Sequence, residues 1–172
     1  MTPSMQRRVA KLGGVAAVYA SPLERTRETA APIARAIGLR TRVRAGLLEC
    51  DFGEWTGRRL SDLTRSPEWR AVQSSPSAFR FPGGESFAEM QHRIVDTVTT
   101  LAAHHRGERI VCVSHADPIK AFVTHLQGVH LDLFQRTVIS PCSLSVVEIG
   151  HDRPLVLAVN STGDDLSNLA PS

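Results

Sequence analysis

Features that mark membrane, secreted and metal-binding proteins are largely missing from this sequence. The longest apolar runs, such as residues 15–20 and 144–147, are far shorter than the roughly 20 residues that a membrane-spanning helix needs. No apolar stretch directly follows the basic pair Arg7-Arg8, which predicts that no secretory signal is present. The three cysteines show neither C-x-x-C spacing nor a nearby pair of histidines, so disulfides and a cysteine-based zinc site are not expected. We therefore predict a cytoplasmic protein with no membrane partner.

Disorder and a second domain are not expected either. The chain has 172 residues, of which 42% are hydrophobic and 22% charged, and these fractions are typical of globular proteins. The length is sufficient to bury a hydrophobic core, and it predicts one domain over residues 1–172.

The net charge of +3 is unevenly distributed along the chain. Residues 1–65 contain twelve Lys and Arg against six Asp and Glu, a bias that suits an anionic ligand. Eighteen of the twenty basic residues are Arg, however, and they are spread over many elements, mostly singly, with few aromatic residues among them. Solvated surface arginines explain this pattern at least as well as nucleic-acid binding does, so no nucleic-acid partner is predicted.

Strand and helix signals alternate along the chain. The predicted elements are a helix at 4–12, a buried strand at 15–20, a helix from Ser21 to Gly38, an edge strand at 41–45, a loop at 66–85, a helix from Ser86 to Gly107, a strand at 109–114, a helix from about Asp117, and strands at 143–149 and 155–160. Two of the helices begin with a capping-box pattern, Ser21 with Glu24 and Ser86 with Glu89. The alternation predicts an α/β domain with a mainly parallel sheet.

Polar residues follow the predicted strands at the points where ligands bind in parallel sheets. Arg25 lies in the first turn after the strand at 15–20, where a guanidinium can hold a phosphate beside a helix N-terminus. His115 follows the strand at 109–114, and Glu49 lies in a carboxylate-rich loop. Such a set can hold a phosphoryl group and transfer a proton. From the residues alone, Arg25 also fits a surface residue and Glu49 an ordinary loop carboxylate, whereas His115 is poorly placed as core filler.

Two other chemistries are disfavoured. Ser114 and His115 are neighbours on a strand and point to opposite faces, and no G-x-S-x-G turn is present, which argues against a serine hydrolase. The remaining histidines have no obvious ligand spacing, so no metal is predicted. They are His92, His104, His105, His125, His130 and His151.

Four ordered segments carry a resemblance to a known family. They are SPLERTRETA at 21–30, LECDFGEWTG at 48–57, FPGGES at 81–86 and VSHAD at 113–117. Together they resemble the histidine phosphatase superfamily in its phosphoglycerate mutase-like branch, and the likeness covers essentially the whole chain. The resemblance implies a phosphoglycerate mutase-like three-layer α/β/α sandwich and phosphoryl transfer through a phosphohistidine, with no metal or other cofactor.

The resemblance also implies roles for individual residues. Arg25 resembles a phosphate-clamping arginine. Glu49 resembles the general acid/base that protonates the leaving oxygen and then activates water. His115 resembles the second active-site histidine, which supports the transferred phosphoryl group electrostatically. Further residues of the matching segments are expected to support the site. They are Ser21, Glu85, Ser86 and Ala116.

The main departure from the family pattern is at the N-terminus. Members open with a strand that ends in Arg-His-Gly, whose histidine is the nucleophile, and no Arg-His-Gly occurs in this sequence. Residues 1–12 already resemble the helix that follows that strand. We therefore expect the first strand to be missing, through a start codon placed too late or because the chain is a fragment of a longer product. If the chain is complete as written, we expect phosphatase activity to be absent or very weak.

A second departure concerns the C-terminal segment. Many members carry a His-Leu pair shortly after the asparagine of the last strand. Here Asn160 is followed by Ser-Thr-Gly-Asp-Asp-Leu at residues 161–166. No C-terminal contribution to the site is therefore carried over.

The sequence thus predicts a phosphoric ester hydrolase that acts on a small phosphorylated metabolite. A small-molecule phosphatase is favoured over a mutase. The segment between Gly57 and Gly83, where members build their substrate cap, is short, which favours an open site. Substrate contacts are expected at cap residues such as Trp69 and Phe79. The alternatives are a catalytically inactive relative that binds a phosphorylated ligand or a protein partner, and a phosphoglycerate mutase-type phosphomutase. A homodimer is compatible with the sequence.

Overall fold

A computed structural model describes residues 3–150 and 153–163, which form six α-helices and five β-strands. The helices are α1 (Pro3–Leu12), α2 (Glu24–Ala36), α3 (Leu60–Leu63), α4 (Pro67–Ser74), α5 (Phe87–His104) and α6 (Ala116–Leu126). The strands are β1 (Val15–Ala20), β2 (Thr41–Val43), β3 (Arg109–Val113), β4 (Leu144–Ile149) and β5 (Pro154–Ser161). The predicted α/β class is confirmed. None of the described helices combines the length and the apolar character that crossing a bilayer demands.

β1 is the central strand of a three-stranded parallel sheet with the order β2-β1-β3. All of its residues are apolar or aromatic, so both of its faces can be covered. On one face, Val18 and Ala20 pack against Ala30 and Ala34 of α2. On the other face, Tyr19 joins the main core with α5 and α6. Helices therefore lie on both sides of the sheet, as the three-layer prediction requires.

β4 and β5 form an antiparallel hairpin that shares no backbone ladder with the parallel sheet in the described part of the chain. Side chains make the link between the two. Val111 of β3 and Leu144 of β4 pack against the same α1 cluster. Arg8 of α1 donates to the carbonyl and the hydroxyl of Ser161 at 2.9 and 2.6 Å. The three-stranded sheet is parallel, as predicted, and in the described residues the hairpin forms a second, antiparallel sheet.

Aromatic side chains fill the core on the α5 side of the sheet. The ring centroid of Phe81 lies 5.0 to 5.3 Å from those of Phe52, Trp55, Phe79 and Phe87, all in edge-to-face arrangements. Phe79 is only 9% exposed and packs in this core. The expectation that Phe79 contacts substrate in an open site is therefore wrong. At position 79, the segment between Gly57 and Gly83 thus contributes a side chain to the aromatic core.

The predicted cap at the start of α2 is wrong. The helix begins at Glu24 with Leu23 before it, and no side chain caps it. The Ser21 hydroxyl instead accepts the N–H of Leu23 at 3.4 Å and lies 2.8 Å from Nε2 of His115. A tertiary partner has taken the group that the local pattern assigned to the helix. The second capping box, Ser86 with Glu89 at the start of α5, is confirmed.

The predicted loop at 66–85 is wrong in its first half. α4 covers Pro67–Ser74, with proline in the first turn, where its missing N–H costs nothing. Trp69 of α4 stacks on Trp55 with a centroid distance of 6.4 Å. Val72 of the same helix is buried in the core, and Trp69 and Ala71 pack against it, so the helix has an apolar face that the core covers.

Only part of the C-terminal departure can be placed. Asn160 has a positive φ of 54°, and its side-chain oxygen accepts the N–H of Ser140 at 2.6 Å. Residues 164–166, and also His151, lie outside the described residues.

Candidate active site

The carboxyl ends of β1 and β3 bring Ser21 and His115 together. The backbone N–H of Ser21 donates to the carbonyl of Val113 at 3.0 Å, which continues the pairing of the two strands into the site. Arg25, in the first turn of α2, then reaches His115 from the side. Ser21 and Arg25, both selected from the sequence, therefore each contact His115 at this edge of the sheet.

His115 is a buried histidine whose hydrogen bonds define one tautomer. Its Nδ1 lies 3.1 Å from Nε of Arg25. An arginine N–H can only donate, so Nδ1 is the acceptor and the proton of the neutral ring is on Nε2, which donates to the Ser21 hydroxyl. Burial, followed by the positive charge of Arg25, lowers the pKa of His115 to about 4. The ring is therefore neutral at pH 7.

Arg25 is exposed and has most of its hydrogen-bonding capacity available. Its Nε donates to His115, while its terminal nitrogens have no partner among the described residues. The side chain lies beside the start of α2 and, through His115, beside the start of α6. A guanidinium with available N–H groups close to two positive helix ends is suited to an anion such as a phosphoryl group.

Glu49 faces His115 from the loop that follows residues 45–47. Its Oε2 lies 3.9 Å from Nδ1 of His115, and its Oε1 accepts the backbone N–H of Cys50 at 3.1 Å. Because His115 is neutral, the contact between the two side chains is not an ion pair. Burial, followed by the negative charge of Asp117, raises the pKa of Glu49 to about 7. A carboxyl that titrates near neutrality can give a proton and take one back at the same pH.

The other expected supporting residues have different places. Ser21 contacts His115 directly, and Ala116 opens α6 immediately after it, where it contributes backbone. Ser86 caps α5. Glu85 lies behind the site in an ion pair with Arg93 at 2.8 Å.

Ser114 points away from His115, as predicted. Its hydroxyl donates to the carbonyl of Leu47 at 2.8 Å. The serine that does contact His115 is Ser21. Since Nε2 of His115 carries the proton, the imidazole is not a base for that hydroxyl, and the geometry does not support a serine nucleophile.

Two charged residues near Glu49 were missed by the sequence analysis. Lys120 lies 3.2 Å from the carboxylate of Asp117, and both belong to α6. The charge of Asp117 raises the pKa of Glu49 and that of Lys120 lowers it. Their spacing of three residues puts them on one helix face, and that spacing after His115 was the available signal.

A neighbouring thiol and several histidines in the described residues are poorly placed to act as nucleophiles or ligands at this site. Burial raises the pKa of the Cys50 thiol, so this neighbour of Glu49 is a poor nucleophile. Several other histidines are bonded elsewhere: His104 to the Thr100 carbonyl, His105 to Tyr19 and Glu108, and His130 to Asp132. Within the described ranges, no group of three or more His, Cys, Asp and Glu is arranged to hold a metal ion.

Comparison with known families identifies the superfamily of this chain. The sequence profile of the histidine phosphatase superfamily (branch 1) matches residues 4–162. The chain belongs to the histidine phosphatase superfamily. Its relatives there include phosphatases and phosphomutases, as the sequence segments implied.

Three curated relatives illustrate the range. A bifunctional protein of Mycobacterium tuberculosis is 33% identical over 157 residues, which cover 90% of this chain and 43% of that protein. Phosphoserine phosphatase 1 of Hydrogenobacter thermophilus is 32% identical over 147 residues, covering 84% of this chain and 70% of the relative. A probable phosphoglycerate mutase of Salmonella newport is 29% identical over 159 residues, covering 91% and 74%. The chain thus spans less than half the length of the mycobacterial relative.

Solved structures share the fold of the superfamily. YhfR of Bacillus stearothermophilus has a TM-score of 0.83 at 20% identity, over 92% of this chain and 81% of that one. A mycobacterial glucosyl-3-phosphoglycerate phosphatase has a TM-score of 0.81 at 19% identity, over 93% and 84%. The phosphoglycerate mutase-like fold predicted from the sequence is therefore confirmed.

Proposed function

We propose that this domain is the phosphate-binding and proton-donating part of a phosphatase that hydrolyses a small phosphorylated metabolite through a phosphohistidine. The observation that carries the proposal is the contact of Arg25 Nε with His115 Nδ1 at 3.1 Å, with the Glu49 carboxyl 3.9 Å from the same nitrogen. One cation, one imidazole and one carboxyl that titrates near neutrality face one point at the sheet edge. That set suits a phosphoryl group and its leaving oxygen.

The proposed chemistry has two steps. In the first, an accepting histidine, which we place outside this chain, bonds to phosphorus as the ester P–O bond breaks, and Glu49 gives its proton to the leaving oxygen. In the second, Glu49 takes a proton from water, whose oxygen bonds to phosphorus as the P–N bond breaks. Arg25 holds the phosphoryl oxygens in both steps. The negative charge of the bound group raises the pKa of His115, so that a protonated Nδ1 can donate to it.

The small size of the substrate is supported by the space beside Glu49. A cleft of about 350 Å³ lies there, lined by Leu48, Asp51, Glu85 and Arg93 among others, and neither Arg25 nor His115 lines it. Ligand pockets of drug-sized molecules start at roughly this volume, so a small leaving group fits.

The second candidate is a relative that binds a phosphorylated ligand without turning it over. Among the described residues, His115 is the histidine in contact with Arg25, and the proposal gives it the supporting role. No residue is then assigned as the histidine that bonds to phosphorus, which favours this second candidate. A phosphomutase is the third candidate, since it shares the first step and differs in transferring the phosphoryl group to a second hydroxyl instead of water.

The test is hydrolysis of an aryl phosphate by this chain and by a chain extended at its N-terminus with a strand ending in Arg-His-Gly. The extended chain is expected to release phosphate and the printed chain to release little or none. The controls are the extended chain with its added histidine changed to alanine, and with His115→Ala. Activity of the printed chain that survives His115→Ala would overturn the proposal. Inactivity of the extended chain, with inorganic phosphate still bound, would favour the binding relative.

A further inference from the structure

Arg93 of α5 is hydrogen-bonded through every one of its N–H groups. Nε and one terminal nitrogen each donate to a carboxylate oxygen of Glu85 at 2.8 Å, which makes a bidentate pair. The other terminal nitrogen donates to the carbonyls of Gly46 and Leu48 at 2.9 and 3.0 Å. A further bond runs to the carbonyl of Glu49 at 3.2 Å. These bonds of Arg93 fix the backbone of residues 46–49, the loop that carries Glu49.

Glu85 fixes the backbone beyond Glu49. Its carboxylate accepts the N–H of Asp51 at 3.3 Å, and its own N–H donates to the Asp51 carbonyl at 2.9 Å. On the other side, the loop approaches α5 so closely that a Cβ on Gly46 would lie 1.9 Å from Oγ1 of Thr97. The backbone is thus fixed both before and after Glu49.

The bond from Arg93 to the Glu49 carbonyl also bears on the Glu49 side chain. That carbonyl and the N–H of Cys50 belong to one planar trans peptide, so they point in opposite directions. With the carbonyl directed at Arg93, the N–H is directed to the opposite side, where it donates to Oε1 of Glu49 at 3.1 Å. This leaves Oε2 of Glu49 on the side of His115, 3.9 Å from Nδ1.

We propose that Arg93, acting with Glu85, is a positioning residue for Glu49, because it holds the 49–50 peptide in the orientation that presents the carboxyl to His115. The inference rests on the proposed role of Glu49 as proton donor. Arg93 has no N–H group left for a substrate, so its effect on the reaction passes through Glu49.

The orientation of this peptide can be followed through the titration of Glu49. The charged and titratable groups that face Glu49 are Arg25 from α2, Arg93 from α5, and His115, Asp117 and Lys120 at the start of α6. With its pKa raised to about 7, Glu49 ionises in a range where the protein can be studied by NMR. An amide proton that donates to a carboxylate changes its chemical shift when that carboxylate ionises.

The experiment is a pH titration of the ¹⁵N-labelled chain that follows the amide proton of Cys50. In the unaltered chain this proton is expected to titrate with the Glu49 carboxyl, and Glu49→Gln is expected to abolish the response. Arg93→Met is expected to lose it. Arg93→Lys keeps the charge, but the three N–H donors of a lysine cannot replace all five bonds that Arg93 makes to Glu85 and the loop carbonyls, so the response is expected to be lost there too. Arg80→Met is the matched control, because Arg80 pairs with Glu89 at the exposed start of the same helix.

A Cys50 proton that still follows Glu49 in the folded Arg93 variants overturns the proposal. So does a Cys50 proton that ignores Glu49 in the unaltered chain, a result that needs no variant. Arg93→Lys decides if Arg93→Met does not fold. The titration uses no substrate. An extended chain that fails to hydrolyse the aryl phosphate would therefore contradict the proposed function and leave the result of the titration unaffected.

Discussion

Arg25 and Arg93 both lie close to Glu49, but the hydrogen bonds of their two guanidinium groups are used in opposite ways. Arg25 is exposed and spends one N–H group inside the protein, on His115. Arg93 lies against the loop with a side chain that is 25% exposed, and all its N–H groups are bonded to Glu85 and three carbonyls. The first arginine is open to a ligand, whereas the second is closed to one.

The difference teaches how binding and architecture are separated in this site. Removing an arginine with open N–H groups takes away ligand contacts and leaves few protein groups without partners. Removing a saturated arginine leaves a carboxylate and several carbonyls unpaired, and such groups are costly when they are shielded from water. Arg25 is therefore expected to matter for binding and Arg93 for stability and geometry.

The largest effect is expected for Arg93→Met, which leaves the Glu85 carboxylate without its ion-pair partner. The free energy of unfolding is expected to fall by about 3 kcal/mol, below the full cost of a buried pair because both side chains are partly exposed. Urea denaturation at pH 7 measures it. Arg25→Met is the comparison and is expected to cost about 1 kcal/mol, because it leaves only Nδ1 of His115 without its donor. Equal losses in the two variants would remove the distinction drawn here.

The next effect is a pH dependence that belongs to Glu49. Its folded pKa of about 7 lies above the ordinary 4.5, so the unfolded chain loses this proton first and stability falls as pH rises from 4.5 towards 7. His115 works in the opposite direction, because its pKa of about 4 lies below 6.5 and stability rises between those values. Glu49→Gln removes only the first contribution.

Relative to the unaltered chain, Glu49→Gln is therefore expected to gain about 2 kcal/mol of stability between about pH 4.5 and 6.5. Urea denaturation of both chains at the two pH values measures the difference. Glu54→Gln, in the same loop region, is the control and is expected to show no such gain. A constant difference between Glu49→Gln and the parent chain would contradict a raised pKa of Glu49.

A smaller effect is expected for Arg25→Ala on binding of inorganic phosphate. Loss of a charge-assisted contact weakens binding by about tenfold or more. Titration calorimetry at pH 7 measures the dissociation constant. Arg27→Ala removes an exposed arginine from the same helix and is expected to leave phosphate binding within about twofold. Similar losses in both variants would mean that overall charge, and not the placement of Arg25, attracts the anion.

The smallest effect concerns the start of α5, the helix that carries Arg93. Ser86→Ala removes the hydroxyl that accepts the N–H of Glu89 and is expected to cost about 1 kcal/mol. Thermal unfolding measures it, with the exposed Ser61→Ala as the matched change. Phosphate binding by Ser86→Ala is expected to stay unchanged, because Ser86 caps a helix and does not reach the pocket. A weaker phosphate affinity would return Ser86 to the site.

Much of the fold could be predicted because local patterns and tertiary contacts agree. The apolar run of β1 is buried between helices, and the capping box of Ser86 and Glu89 starts α5 where the sequence placed it. The site residues Arg25 and His115 could be selected because both follow buried strands directly. The prediction failed where a tertiary partner competes with a local one, as when Ser21 bonds to His115 and leaves α2 without a side-chain cap.

The role of Arg93 could not be predicted from its sequence position. It lies one residue before the buried Ile94, at the border of the apolar stripe of α5, where most arginines are solvated. Its carbonyl partners come from a loop more than forty residues earlier. The close approach depends on Gly46, whose missing Cβ makes room for Thr97, and a single glycine in a loop gives no sign of what packs on it.

The division of the strands into two sheets has a consequence for how the protein opens locally. The backbone of β1 is paired with a neighbour on each side, whereas the β4–β5 hairpin is joined to the rest by side chains such as Leu144 and by the bonds of Arg8 to Ser161. The hairpin can therefore separate without breaking a ladder of the parallel sheet. In native-state hydrogen exchange, its amides are expected to exchange through a subglobal opening of lower free energy than the amides of β1, which wait for global unfolding.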